Sequence, residues 1–409
     1  MKGWKTYKLG ELAHKIGSGS TPRGGKEAYL EHSDISLIRS QNVLDFSFST
    51  AGLAFISDEQ AHELRSVTIE KDDVLLNITG DSVARVCKVP PDLLPSRVNQ
   101  HVAIIRANKE KINSDFLKYY LLEPSFKGYM LGLASSGATR NALTKIMIEN
   151  FEIKLPDLNT QHSIASILSS LDNKIELNLQ MNQTLEEMAQ AIFKEWFVNF
   201  NFPGSNGKLV DDLPKGWKKG SVLEIATLLS GGTPKTEVSE YWDGNIGWIS
   251  AKDVTANNKR FILETEKQIT EDGIESSAAK LLPKFTTVIS ARGTVGNYCI
   301  LSDEMAISQS NYGIKSKSDL NFFLFVLIEN MIEMMQAYSY GTVFDTITTK
   351  TFQEMEITIP AEAIMREFES TVSPVFHKIL ENQVQSQTLS QFRDSLLPIL
   401  MTGKIEVKA

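Results

Sequence analysis

The sequence predicts an α+β protein made of one unit written twice, each copy a mixed α/β head followed by a long helix. Three observations carry that expectation. Short motifs of the first half return in order in the second, each half runs through β-rich segments before a helical patch, and each half closes on an apolar pattern of helical period. A chain of 409 residues is also longer than one hydrophobic core usually serves.

The repeat starts at once. "MKGW" (1–4) returns as "PKGW" (214–217), "LGELA" (9–13) as "VLEIA" (222–226), and "IGSGSTPR" (16–23) as "LLSGGTPK" (228–235). "IRSQNV" (38–43) matches "ISAKDV" (249–254), and "VLLNITGDSVARVCKV" (74–89) matches "VISARGTVGNYCIL" (288–301), setting Cys87 against Cys299. "GATRNALTKIMIENFEIKLP" (137–156) matches "GTVFDTITTKTFQEMEITIP" (341–360). The offset falls from 213 residues to 204, as it does when surface loops differ in length between copies. Each unit is expected to hold a head of roughly 155 residues followed by a long helix. In the first head, "SVTI", "DVLLNI", "HVAIIRA" and "NFEIKLP" read as strands bounded by turn-forming residues. The segments 114–134 and 321–338 read as helical, and the mixture favours α+β over alternating βαβ units.

Each closing helix has an apolar seam. After Ile164 it passes through Leu168, Leu171, Ile175, Leu185, Ala189, Ile192 and Trp196, in steps of three and four, with Asn178 and Asn182 interrupting it. The second copy offers Phe368, Val372, Val375, Ile379, Leu389, Arg393, Leu396 and Leu400, with Asn382 in the slot of Asn178. Thr160 is the expected cap of the first helix, and Pro374 is expected to kink the second or to mark its start. Both seams need burial, most simply against each other as a stalk roughly 50 Å long, and alternatively each against its own head. A polar residue at a seam position is a device that fixes register.

Composition narrows the function. With 42% hydrophobic and 22% charged residues the chain reads as an ordinary soluble protein, without an apolar run of membrane-spanning length or a signal-peptide core, so a cytoplasmic location is expected. Two cysteines without CxxC spacing and six scattered histidines argue against a disulfide framework or a zinc module. The net charge of −8 lowers the prior for a stand-alone nucleic-acid binder. "GSGSTP" satisfies neither GxxxxGK[ST] nor GxGxxG, so its recurrence points to a shaped turn rather than a phosphate cradle. GxSxG, HExxH and clusters of metal-ligand spacing are absent, and "PPDLL" (90–94) and "IEVK" (405–408) lack the partners that methyltransferase or nuclease chemistry needs. Cys87 and Cys299 read as small buried thiols. The expectation is a non-catalytic protein with two binding heads.

The loops of both heads mix cations, amides and hydroxyls, the side chains that grip phosphates and read base edges. The candidates in the first head are Thr21, Arg23, Arg39, Gln41, Asn42, Arg85, Arg97, Thr139, Arg140 and Asn141. Those in the second are Thr233, Lys235, Lys252, Lys259, Arg260, Arg292 and Asn297. Loop sequences diverge between copies while the framework persists, which suits two heads with two different targets.

The duplicated layout, with "GW", "LGELA" and "GSGSTPR" at the start, "GATRNALTK" and "FEIKLP" before the helix, and "QHSIASILSSLDNKIELN" at the junction, resembles the specificity subunit of type I restriction–modification enzymes over essentially the full length. The resemblance implies two target-recognition domains, over 1–156 and 205–360, joined by two long antiparallel coiled-coil helices in helical regions over 157–204 and 361–409, with pseudo-two-fold symmetry. It implies that each head reads half of a bipartite site in double-stranded DNA and that the helices set the spacing. It further implies that Leu171, Ile175, Asn178, Leu185, Ile192, Trp196, Ile379, Asn382, Leu389 and Leu396 serve helix pairing and the docking of two modification (methyltransferase) subunits. No cofactor is expected in this chain. S-adenosylmethionine would sit in the modification subunits, and ATP in a restriction subunit where one is present. Two alternatives compete: the recognition subunit of a related bipartite (type IIB-like) system, and a coiled-coil scaffold whose heads bind proteins.

Overall fold

The computed structural model describes residues 3–22, 24–136, 141–338, 346–405 and 407. The chain divides into two compact units, Met1–Glu176 with Gln387–Ala409, and Leu177–Ser386.

In the first unit a four-stranded sheet runs in the order Ala13–Ser18, Val102–Ala107, Val74–Asn77, Val86–Lys88. The central strand Val74–Asn77 is buried on both faces, and its first three residues are apolar without alternation. Val74 and Leu76, with Ala103 and Ile105, face a core built with Phe116, Leu117 and Tyr119 of the helix Ser114–Leu122. Leu75 and Cys87, with Val102 and Ile104, face Leu37, Ile38 and Val98 of a second sheet. That sheet runs Ala54–Phe55, Ser36–Ile38, Ser96–Val98, Thr68–Ile69, with its two central strands parallel.

The second unit repeats this plan. A sheet of strands Ala226–Ser230, Asn311–Ser316, Thr287–Ser290, Tyr298–Leu301 and Phe261–Ile262 packs Ile289, Ile300 and Ile314 towards Phe322, Phe323 and Val326 of the helix Asn321–Tyr338. Its other face sends Val288, Cys299 and Leu301 towards Ile249 and Ile307. Trp242–Ile249 and Met305–Ile307 again form a parallel pair. Leu75 pairs with Cys87, and Val288 with Cys299. The structural equivalent of Val288 is therefore Leu75, one residue later than its match to Val74 by likeness alone. In each unit a separate antiparallel ribbon joins the start of the head to its end: Lys5–Lys8 with Glu152–Leu155, and Lys218–Ser221 with Glu356–Ile359.

The first long helix spans Leu158–Phe193 and continues as a π turn over Lys194–Val198; the second spans Glu362–Met401. Two sequence expectations change here. Asp157, not Thr160, caps the first helix, accepting from the Thr160 N–H at 3.0 Å and from its hydroxyl at 2.8 Å. Pro374 does not start the second helix, which runs through it. The compact units also cut across the repeat. Leu397, Leu400 and Met401 of the second copy are buried in the core of the first head, and Ala189, Phe193 and Phe197 of the first copy in the core of the second. Among the described residues no helix is long and apolar enough to cross a membrane.

Candidate nucleic-acid interface

In the first unit, hydrogen bonds gather the sequence-selected loops at one end of the sheets. The opening loop lies against the end of the parallel strand Ser96–Val98, with the Gly19 N–H donating to the Asn99 carbonyl at 3.1 Å. From there a chain of polar side chains crosses the loops. The Thr21 hydroxyl meets Gln100 Oε1, Gln100 Nε2 lies 3.1 Å from His101 Nε2, and His101 Nδ1 lies 2.5 Å from the Thr79 hydroxyl. Gly80 donates its N–H to the Asn141 carbonyl at 3.1 Å, which stitches the strand-pair loop to the start of "NALTK". Thr21 and Asn141 are exposed and Arg85 is half-buried on the same strand-pair loop.

Other candidates in this head hold the fold. Asn42 is fully buried: its Oδ1 accepts from the Arg39 N–H at 3.0 Å and its Nδ2 donates to the Ser49 carbonyl at 2.9 Å. Its repeat mate Asp253 does the same at Ser250, at 2.9 Å. The recurrence of "IRSQNV" and "ISAKDV" is therefore a recurring cap. Arg97 is buried, with Nε donating to the Ala61 carbonyl and Nη1 to the Ser96 carbonyl, both at 3.1 Å, and burial lowers its pKa. Arg39 bonds the Gly52 carbonyl and lies over the Tyr29 ring, and exposed Gln41 bonds the same carbonyl at 3.2 Å. Asn42 and Arg97 thus offer no free side chain at the surface. Arg23, Thr139 and Arg140 lie outside the described residues.

The second unit assembles the matching loops with different chemistry. The Gly232 N–H donates to the Ile307 carbonyl at 3.0 Å, carrying half-buried Thr233 and exposed Lys235 beside the end of Met305–Ile307. The helix Ala251–Ala256 meets the loop after Thr287–Ser290: the Thr255 and Thr294 hydroxyls are 2.6 Å apart, and Asn297 Nδ2 donates to Thr255 at 3.2 Å. Arg292 is exposed on that loop, and the Ile347 N–H donates to the Ala291 carbonyl at 3.0 Å. Lys252 lies at the same helix but pairs with Glu266 at 2.6 Å.

Lys259 and Arg260 face elsewhere. Lys259 pairs with Glu329 at 3.1 Å and, with Glu186, lines a small cavity beside the first long helix. Burial pushes the Glu186 carboxyl up to about 7, opposed by the charges of Arg260 and Lys259. These two cations therefore serve the junction of head and helix. Thr79 and Thr255 were missed as candidates, since an isolated threonine carries no positional signal. Burial pushes the thiols of both Cys87, to about 12, and Cys299 up, so neither is poised as a thiolate.

The helix candidates sort by depth. Asn178, Asn182, Ile379 and Asn382 are buried in the second unit. Asn178 Nδ2 donates to Gln385 Oε1 at 2.9 Å, and Asn382 Nδ2 to Asn182 Oδ1 at 2.8 Å. Asn182 Nδ2 donates to the Ile379 carbonyl at 3.2 Å. As the first helix advances the partner numbers fall, so the helices pair antiparallel. Leu185, Ile192 and Trp196 pack half-buried against the core of this unit, and Leu396 against that of the first. Leu171, Ile175 and Leu389 are half-buried. The deepest apolar residues at the end of the first helix are Phe193 and Phe197, one residue beyond the expected Ile192 and Trp196.

Comparison with known proteins gives a consistent picture. A family model described as the type I restriction modification DNA specificity domain matches residues 1–187 and again 214–397. The HindI specificity subunit of Haemophilus influenzae, a type I restriction enzyme subunit, is 25% identical over 470 residues, covering 99% of this chain and 100% of that one. The MjaIX specificity subunit of Methanocaldococcus jannaschii is 24% identical, covering 100% of this chain and 94% of its own. Among solved structures, the S subunit of a type I restriction–modification system from M. genitalium shares the fold, with a TM-score of 0.61 at 15% identity over 97% of this chain and 96% of that one.

Proposed function

The chain belongs to the family of type I restriction modification DNA specificity domains, and on that premise we propose that it reads a bipartite DNA sequence, one half with each head. Its role is sequence-specific DNA recognition in a type I restriction–modification complex. The observation that carries the two-head reading is the loop cluster built twice on one framework with different side chains. Thr21, Gln100, His101 and Thr79 occupy the first cluster; Thr233, Lys235, Thr255, Arg292 and Asn297 occupy the second. Exposed cations such as Lys235 and Arg292 suit phosphate contacts, which fix register. Amide, hydroxyl and imidazole groups suit base edges, where each good bidentate pair discriminates by about 1–3 kcal/mol.

The paired helices would set the distance between the half-sites and carry the surfaces on which two modification subunits dock. This chain would carry out no bond-making step, with S-adenosylmethionine held by the modification subunits and ATP by a restriction subunit. A net charge of −8 suits a chain that shares its DNA groove with partners. The test is co-expression with the neighbouring modification subunit in a methylation-free host, followed by mapping of modified adenines. The expected result is a split motif, two specific blocks around a fixed run of unspecified bases. A continuous motif, or a soluble co-purifying complex that methylates nothing, would overturn it.

A further inference from the structure

One set of helix positions differs in kind between the two copies. In the first unit Asp172, on the first long helix, accepts from Arg393 Nη1 at 2.9 Å, from Lys118 Nζ at 3.0 Å and from the Tyr119 hydroxyl at 2.5 Å. Arg393 and Lys118 are buried, and the guanidinium lies 3.5 Å over the Phe46 ring. Arg393 Nε also bonds Asp394, its neighbour on the same helix, at 2.9 Å. The long helices repeat at 204 positions, which sets Phe376 in the place of Asp172 and Ala189 in that of Arg393; the head helices, which start at Ser114 and Asn321, repeat at 207, which sets Phe325 in the place of Lys118 and Val326 in that of Tyr119. In the second unit Phe376 meets Phe325 edge to face with ring centroids 5.7 Å apart and stacks on Phe322 at 4.8 Å, and Phe376, Phe325 and Ala189 line one small cavity. Where Asp172 meets cations Phe376 meets aromatic rings, although Glu186 and Lys259 reach the same cavity.

We propose that this difference makes the helix pairing heterotypic, so that the first long helix accepts the second and rejects another copy of itself. Two first helices in the same antiparallel register would set each Asp172 against Ala189, leaving the carboxylate with Lys118 and Tyr119 but without its guanidinium. Two second helices would set each Arg393 against Phe376, a guanidinium stripped of Asp172 and Phe46 with only Asp394 left to it. Removing one member of a buried charge cluster strands the rest in a low-dielectric site, which penalises the wrong partner more than it rewards the right one. The central asparagines make this distinction less sharply: the repeat mate of Gln385, to which Asn178 Nδ2 donates, is Met181, but a seam asparagine faces another in either pairing. Asn178 and Asn382 are themselves repeat mates, and Asn178 Nδ2 donates to the Asn382 carbonyl at 3.4 Å. Asparagine therefore fixes register, and the Asp172 cluster fixes the partner. Pairing of this kind is independent of what the heads bind.

The test places a specific protease site between Asn206 and Gly207, in the exposed connection between the copies. The full chain is cut, unfolded, refolded at low salt and weighed by native mass spectrometry. The expected result is only one-to-one complexes of the two different fragments. The triple variant K118F/D172F/R393A, which gives the first unit the contact of the second, is expected to add self-paired fragments of both kinds. Self-paired fragments from the parent, or strictly mixed pairs from a folded triple variant, would overturn the proposal. Should the triple variant not fold, a double-mutant cycle of D172A and R393A on the dissociation rate of the cut parent decides. The expected coupling is about ten-fold or more, and additive effects would overturn the proposal.

Discussion

A Cβ on Gly19 would sit 1.7 Å from the Val98 carbonyl oxygen, and one on Gly231 would sit 2.0 Å from that of Ile307. The two glycines occupy matched places in the opening loops because backbone lies on backbone there. Gly19→Ala should therefore destabilise the first unit by more than about 2 kcal/mol in urea unfolding, while Gly17→Ala, whose Cβ would meet nothing within 4 Å, should be nearly neutral. Equal effects would contradict that reading of the motif. Glu186 supplies a test through pH. Its carboxyl titrates near 7 in the fold against 4.5 in the free chain, so the folded state holds the proton more tightly. The stabilisation is complete below pH 4.5 and is lost as the pH rises through about 7. Relative to Glu186→Gln, the parent should lose on the order of 3 kcal/mol across that window, and parallel pH profiles would refute this. Residue type alone did not reveal burial. Arg97 and Asn42 have the chemistry of DNA contacts, yet the fold uses both on its own carbonyls and N–H groups.

At the scale of the element, the seam of the first helix was legible because a 3.5-residue spacing survives any tertiary context that buries it. Its end was not. From Ala189 the buried positions step by four to Phe193 and Phe197, and the last lies in the π turn Lys194–Val198, whose extra residue per turn shifts the facing side. An apolar "FKEWFV" offers several phases, and only packing chooses among them. The strands were legible for a similar reason, since "VLLN" must be buried on both faces wherever it lies. The caps were not, because Asp157 and Thr160 are both competent and geometry selects one. If the helices measure the distance between half-sites, duplicating a few residues near Gln180 should change the run of unspecified bases and leave both specific blocks intact. An unchanged motif from such a variant would remove the helices from that role.

For the whole molecule, the repeat told how many heads there are and in what order, but not how the cores are completed. Each head takes part of its core from the helix of the other copy: Leu397 and Leu400 in the first unit, Phe193 and Phe197 in the second. Sequence periodicity cannot show that exchange, since either helix could satisfy its seam on its own head. The loop clusters were visible as divergence within a persistent framework; which residues face outward depended on ladder register and caps. The central claim is that recognition is divided, one half-site to each head. Adenine methylation mapped genome-wide for the parent, for Thr79→Ala with His101→Ala, and for Lys235→Ala with Arg292→Ala tests it most directly. The account predicts that each double variant relaxes or weakens one block of the split motif, a different block for each head, with the other block unchanged. Alteration of both blocks by substitutions confined to one head would contradict it.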